Sequence, residues 1–200
     1  MKMFFLLCAA FLLLGSCSSA PNVNRVDAER QIDLSGFWND TDVRIVCRAL
    51  VAEAVNSPRV EQAIARRGGR TPTVIVGTFR NISDEQIDTS IISTIMEIEI
   101  FNSGKLNFVA GGATRDELRA ERLDQQGQAS EDTVSALANE TGADFLLTGT
   151  VRTIVDRAGN QSVRTYFVNA EMTDIETNDR IWMGMNNEIK KTVRQPRHRL

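Results

Sequence analysis

Three cysteines and one histidine are the strongly nucleophilic or metal-seeking side chains of this 200-residue chain, and their spacing limits what they can do. His198 sits in a basic C-terminal tail, Arg194 to Leu200, that reads as disordered, so neither a Ser-His-Asp nor a Cys-His arrangement has a usable imidazole. No Cys/His cluster has zinc spacing. No GxxxxGK phosphate loop occurs, and Gly111-Gly112 alone reads as a turn. Asp and Glu are plentiful but scattered over faces expected to be solvated, which singles out no carboxylate pair of the glycosidase kind. The chain reads as a protein that binds something rather than an enzyme, with no metal or cofactor expected.

Covalent chemistry of a different kind is expected at Cys17. Lys2 supplies a positive n-region, and Met3 to Leu14 form an apolar run too short to cross a bilayer permanently. The run ends in Leu14-Gly15-Ser16-Cys17. Small residues just before a cysteine resemble the bacterial lipobox, where the thiol is acylated and the cysteine becomes the mature N-terminus. Residues 1–16 are then a lipoprotein signal peptide, with an ordinary secretory signal and a chance cysteine as the alternative. Ser18, in place of Asp, matches the sorting pattern for the outer membrane of Gram-negative cells. Cys8 leaves with the signal, and Cys47 remains alone on an apolar helix face as a small buried hydrophobe, so no disulfide is expected. Residues 17–31 form a lipidated tether, polar and without apolar period, that spans roughly 45 Å when extended.

The rest of the sequence must supply a binding domain. A net charge of -3 argues against a nucleic-acid partner. Residues 32–191 read as a single globular domain and 192–200 as a basic tail. Asn39, Asp40 and Thr41 offer N-caps to a helix on which Val43, Val46, Cys47, Leu50, Val51 and Ala54 form one stripe. Pro58 and then Arg66-Arg67-Gly68-Gly69-Arg70 end it or a short turn after it. That basic run reads as a solvated loop, with contact to an anionic polymer or lipid as the alternative. Thr73 to Phe79 is nearly all apolar, as in a strand buried on both faces. Asp88-Thr89-Ser90 caps a second helix carrying Ile91, Ile92, Ile95, Met96 and Ile98; Gly104 closes it, and Leu106 to Ala110 reads as a short strand. Thr114-Arg115-Asp116-Glu117 has capping-box spacing and opens a mostly polar third helix. Ser130 caps a fourth, with Val134, Leu137 and Ala138 on one face, and Gly142 stops it in the left-handed conformation.

Three strands follow: Asp144–Asp156, Ser162–Asp174 and Arg180–Ile189. Gly159-Asn160 between the first two is a hairpin signal. The fold class is α+β, a mixed sheet of four to five strands packed with about four helices. A two-residue turn at Gly159-Asn160 puts Leu147, Gly149, Val151 and Val155 on one side with Met172, Ala170, Val168 and Arg164, and Met183 and Met185 are expected to join them. The opposite face carries Thr148 together with Thr150, Arg152, Thr165, Phe167, Asn169, Glu171 and Trp182. Aromatics and arginine anchor protein interfaces, which makes those last seven the candidate partner-binding residues. The alternative is that Phe37-Trp38 or a helix lies over this face and the aromatics are core.

Leu34-Ser35-Gly36-Phe37-Trp38-Asn39-Asp40-Thr41-Asp42, Thr73-Val74-Ile75-Val76-Gly77, Ile87-Asp88-Thr89-Ser90 and Asn102-Ser103-Gly104-Lys105 occur in a family-specific order with Glu117-Leu118-Arg119, Gly142 to Gly149 and Asp174-Ile175-Glu176-Thr177-Asn178. Over residues 32–191 this pattern resembles the LpoB family. Gly142 to Gly149 alone is also similar to the N-terminal domain of TolB and to the curli secretion lipoprotein CsgG. The resemblance implies a TolB N-terminal-like domain, lipid-anchored in the outer membrane and facing the periplasm. It would bind and activate a class A penicillin-binding protein, a bifunctional peptidoglycan synthase. The tether departs from the best-known members, whose long proline-rich segment is here a short one with Pro21 alone. A synthase that projects further outward, or a different synthase, would suit that reach. A CsgG-like secretion-channel subunit is the alternative; it needs membrane-spanning hairpins of about 9–11 residues per strand, and no such insertion interrupts the domain.

Overall fold

Helix α1, Asp40–Val55, starts where Asn39 can cap it. The Asn39 side chain accepts from the Asp42 N–H at 3.1 Å and Asp42 accepts from the Asn39 N–H at 2.9 Å, a reciprocal capping box. The expected stripe of Val43, Val46, Cys47, Leu50, Val51 and Ala54 is buried. In the computed structural model, residues 24–27, 30–108 and 142–194 are described.

Pro58–Arg66 is a second helix, α2, and not the turn expected there. Pro58 sits in the first turn, where a missing N–H costs nothing, and Val60 and Ala63 bury one face. Strand β1, Thr73–Asn81, leads into helix α3, Thr89–Ser103, capped by the Asp88 side chain on the Ser90 N–H and closed by Gly104 at φ 64°. Strand β2 is short, Asn107–Phe108. The helices expected from Thr114 and Ser130 lie outside the described residues.

Strands β3, Phe145–Ala158, and β4, Gln161–Asp174, form a long hairpin closed by Gly159-Asn160. Gly159 takes φ 59°, the positive value a two-residue hairpin turn needs. The register is the expected one: Leu147 pairs with Met172, Gly149 with Ala170, Val151 with Val168 and Val155 with Arg164. The expected last strand is broken in two. Strand β5, Arg180–Asn186, pairs with one half of β4, and β6, Lys190–Arg194, pairs with the other half. The ladder therefore carries the folded chain to Arg194, past the boundary drawn at 191.

The sheet order is β2-β1-β3-β4-β5, with β6 also on β4. Strands β2, β1 and β3 are parallel, and the rest are antiparallel. Helices α1 and α3 pack on one face, over Val74, Val76, Phe79, Leu147, Val151, Val168, Ala170 and Met172. Burial on β1 alternates, with Ile75 only half buried between Val74 and Val76. Among the described residues, then, β1 is buried on one face, where the apolar run pointed to two.

Gly149 is fixed by a close approach. A Cβ there would lie 2.2 Å from the Phe79 ring and 2.4 Å from the Asn169 carbonyl oxygen. The aromatic ring of β1 takes the space a side chain on β3 would need.

Candidate functional site

The hairpin register sets the candidate face residue by residue. Thr150 lies opposite Asn169, Arg152 opposite Phe167, Thr148 opposite Glu171, and Thr165 opposite Ile154. All of these alternate with the core-facing set, so Thr150, Arg152, Thr165, Phe167, Asn169 and Glu171 do share the face turned away from α1 and α3. Arg152 is exposed, and the other five are half buried.

Trp182 is not among them. It pairs with Met172 and is 6% exposed, in the core under the helices. Met183 and Met185 take the position expected for it, opposite Glu171 and Asn169, and are 62% and 55% exposed. The cause is a register shift after the turn: Met172 pairs with Trp182, but Thr173 pairs with Arg180. Ile181 is thus an extra residue, and both Ile181 and Trp182 are buried. Adjacent apolar residues in a strand cannot both face one side without such an irregularity, so Ile181-Trp182 was the signal that could have revealed it. In the turn, Asp174 accepts from the Glu176 and Thr177 N–H groups, and Asn178 stands at φ 62°.

The face has two parts. Nearer the parallel strands it is a groove of about 770 Å³ with Leu146, Thr148, Thr150, Asn169, Glu171, Met183 and Met185 in its walls. Arg180 reaches Glu171 at 3.4 Å on its rim. Further out, the hairpin arm presents Arg152, Thr165, Phe167 and Ile154, the last 62% exposed and not singled out by sequence. An arginine, an aromatic ring and an aliphatic side chain on adjacent pairs form an apolar patch with one charge.

Two ionic clusters hold the frame of this face. Arg67, at the end of α2, donates to Asp174 at 2.6 and 2.9 Å and to Asp144 at 3.3 Å, and Arg70 joins Asp144 at 2.6 Å. Hydrogen bonds from Arg67 hold the Asp174 carboxyl below the usual range, against the opposing effect of burial. Burial also opposes ionisation at Asp144, but the Thr73 N–H, Arg70 and Arg67 outweigh it, and its carboxyl is lowered too. These residues tie the start of β3 to the end of β4.

The second cluster sits under the hairpin arm. Glu85 accepts from the Tyr166 hydroxyl at 2.6 Å and from the Trp38 N–H at 3.0 Å, and pairs with Arg164 at 2.5 Å. Arg164 also bonds Asp84 at 2.6 Å. Burial, and next the bond to Glu85, push the Tyr166 hydroxyl well above its ordinary value. Lys191 of β6 pairs with Asp42 at 2.6 Å and Asp33 at 3.0 Å. The entry segment around Trp38 is thereby locked to β4 and β6. Phe37-Trp38 packs on this side of the sheet, with Trp38 5.0 Å from the Tyr166 ring, and so is not what covers the candidate face.

Burial pushes the Cys47 thiol up to about 12, which leaves it protonated and inert. Among the described residues no three His, Cys, Asp or Glu side chains are grouped to hold a metal ion. Cys17 lies outside the described residues.

Comparison with known proteins gives a family. The family model described as peptidoglycan-synthase activator LpoB matches residues 42–187. No curated protein matches the sequence significantly. Among solved structures, the LpoB C-terminal domain from Escherichia coli is similar at 16% identity and a TM-score of 0.45, over 77% of this chain and 99% of that one. The Salmonella enterica domain gives 16% and 0.44 over the same shares, and lipoprotein GNA1162 from Neisseria meningitidis 18% and 0.40 over 64% and 88%. Those overlays are loose, and membership rests on the sequence match, which runs from the first turn of α1 through β5. The chain belongs to the LpoB family of peptidoglycan-synthase activators.

Proposed function

We propose that this protein is an outer-membrane lipoprotein, anchored through Cys17, that binds a class A penicillin-binding protein and stimulates its glycan polymerisation and cross-linking. The observation that carries the reading is the family match over 42–187, which takes in nearly all of the described domain. The exposed arginine and apolar side chains of the hairpin arm support that reading, since they are residue types that anchor protein contacts.

The contact surface in this reading is the outer hairpin arm, Arg152, Ile154, Thr165 and Phe167. Arginine and aromatic residues are over-represented among the side chains that dominate binding energy. A buried anchor residue in an interface costs ~2 kcal/mol or more on truncation, about thirtyfold in affinity. The test is the affinity of the full chain in detergent for a purified class A synthase from the same envelope. Arg152→Ala and Ile154→Ala should each weaken binding by that order with unchanged thermal midpoints. Full-strength binding by both variants would remove the arm from the interface, and no binding by the native chain would remove the partner.

A further inference from the structure

A second cavity, of about 670 Å³, opens where the end of α1 and the start of α2 meet β5, and none of its residues belongs to the hairpin arm. Ser57, Pro58 and Arg59 line it from the helices, and Arg180, Trp182 and Met183 from the strand. Both sides carry donors short of acceptors. Trp182 is 6% exposed, and among the described residues its indole N–H has no acceptor, an unfavourable state for a buried donor. Trp182 also borders an apolar space shared with Leu50, Val51, Ala54 and Met96, side chains that offer no acceptor oxygen. The acceptor for its N–H therefore comes from the cavity side. The helical side is the start of α2, nine residues long. Pro58 has no N–H, and Ser57, the N-cap residue, makes no side-chain bond to the first-turn N–H groups of Arg59 and Val60. Those groups and the helix dipole favour a negative charge there.

We propose that this cavity binds an organic carboxylate, held by the Trp182 N–H, the first turn of α2 and the guanidiniums of Arg59 and Arg180. Guanidinium forks match the two oxygens of a carboxylate. Glu53 also lines the cavity, so two cationic side chains face one anionic one, a balance that suits a singly charged group better than a phosphate. The volume exceeds what a bare ion needs and lies in the range of organic ligands. Strand β5 is paired on one side only, to β4, among the described residues. Its other edge offers backbone N–H and C=O groups to an extended peptide, whose acidic side chain or terminus then enters the cavity. A free dicarboxylic acid presents the same chemistry without the backbone. In either case the exposed Met183 side chain is free to move aside and admit the ligand to Trp182.

Nitrogen–proton NMR of the two indole groups, in the full chain in detergent, tests this. The chain has two tryptophans, so Trp38→Phe assigns both signals. Titration with glutarate or with tetraglutamate should move the Trp182 signal downfield to saturation and leave the Trp38 signal in place. Saturation by tetraglutamate with shifts of the Met183 and Met185 amides identifies a peptide on the β5 edge. Saturation by glutarate with those amides unmoved identifies a free acid, and either result supports the carboxylate site. Arg59→Glu should weaken binding at least tenfold. Ser57→Asp places a carboxylate cap on α2 within the chain itself, and should remove binding while raising the thermal midpoint. An unchanged Trp38 signal reports an intact fold in both variants. A Trp182 signal that neither ligand moves, that inorganic phosphate moves equally well, or that titrates with native affinity in both variants would overturn the proposal.

Discussion

At the scale of single residues, the ionic pair that joins α2 to the β4–β5 turn is the most consequential. Arg67 and Asp174 are both largely buried, at 15% and 7% side-chain exposure, and Asp174 also holds two turn N–H groups. Removing one partner of a buried pair leaves the other uncompensated, so Asp174→Asn is expected to cost about 3 kcal/mol at neutral pH. The pH dependence has a definite sign. The folded Asp174 carboxyl is lowered, so it contributes stability above the unfolded carboxylate value, near pH 4, and loses it as pH falls through the folded value. Denaturant midpoints measured from pH 7 downward should therefore fall less steeply below about pH 4 in Asp174→Asn than in the native protein. The lowered Asp144 carboxyl leaves some acid sensitivity in both. An equally steep acid limb in the variant would mean that the pair does not govern it.

At the scale of elements, the β3–β4 hairpin was legible in the sequence and β5 was not. Gly159-Asn160 fixed the turn, and period-two alternation on both sides left one register that buried the apolar halves. That placed Thr150, Arg152, Thr165, Phe167, Asn169 and Glu171 on a common face without any coordinates. Trp182 was misplaced because the shift leaves Ile181 as an extra residue in β5, and strict period-two alternation carried across the turn does not allow for one. Helix α2 was missed for a related reason, as nine residues with two buried side chains give too little periodicity to read. Gly149 shows the same limit from the other side. Its identity in the motif that begins β3 is explained by the Phe79 ring, which sequence alone does not bring near. Gly149→Ala should destabilise the fold by at least ~1–3 kcal/mol through overpacking, because the nearest atoms include backbone that cannot move aside. Trp182→Ala should cost ~3–5 kcal/mol as a core aromatic, with Arg152→Ala nearly neutral beside it. Urea midpoints of the three variants check that order; a Trp182→Ala protein as stable as the native one would return Trp182 to the surface.

At the scale of the whole molecule, the reading joins an anchor, a tether and a domain. Two acyl signals hold a soluble domain stably at a membrane, so the proposed anchor would matter to where the domain works and not to whether it folds. Cys17→Ala is expected to release the protein from outer-membrane fractions with its mature N-terminus unacylated by mass. Unchanged fractionation and mass would refute the anchor. In the proposed reading, a tether of roughly 45 Å would keep the domain near its membrane. Inserting a flexible segment after Ala20 should then maintain or raise synthase stimulation in cells and leave the activity of a detergent-purified mixture unchanged. A marked loss in cells would count against a reach limit.

The central claim, that the domain stimulates a synthase through the outer hairpin arm, is tested most directly by glycan polymerisation from lipid-linked disaccharide by a purified class A synthase. The initial rate is measured with and without a saturating amount of the full-length protein. The expected result is a clear rise in rate with the native chain and with Asp179→Ala, an exposed turn residue away from the arm, and little or no rise with a combined Arg152→Ala and Ile154→Asp variant of native thermal stability. No rise with the native chain, or a full rise with the combined variant, would contradict it.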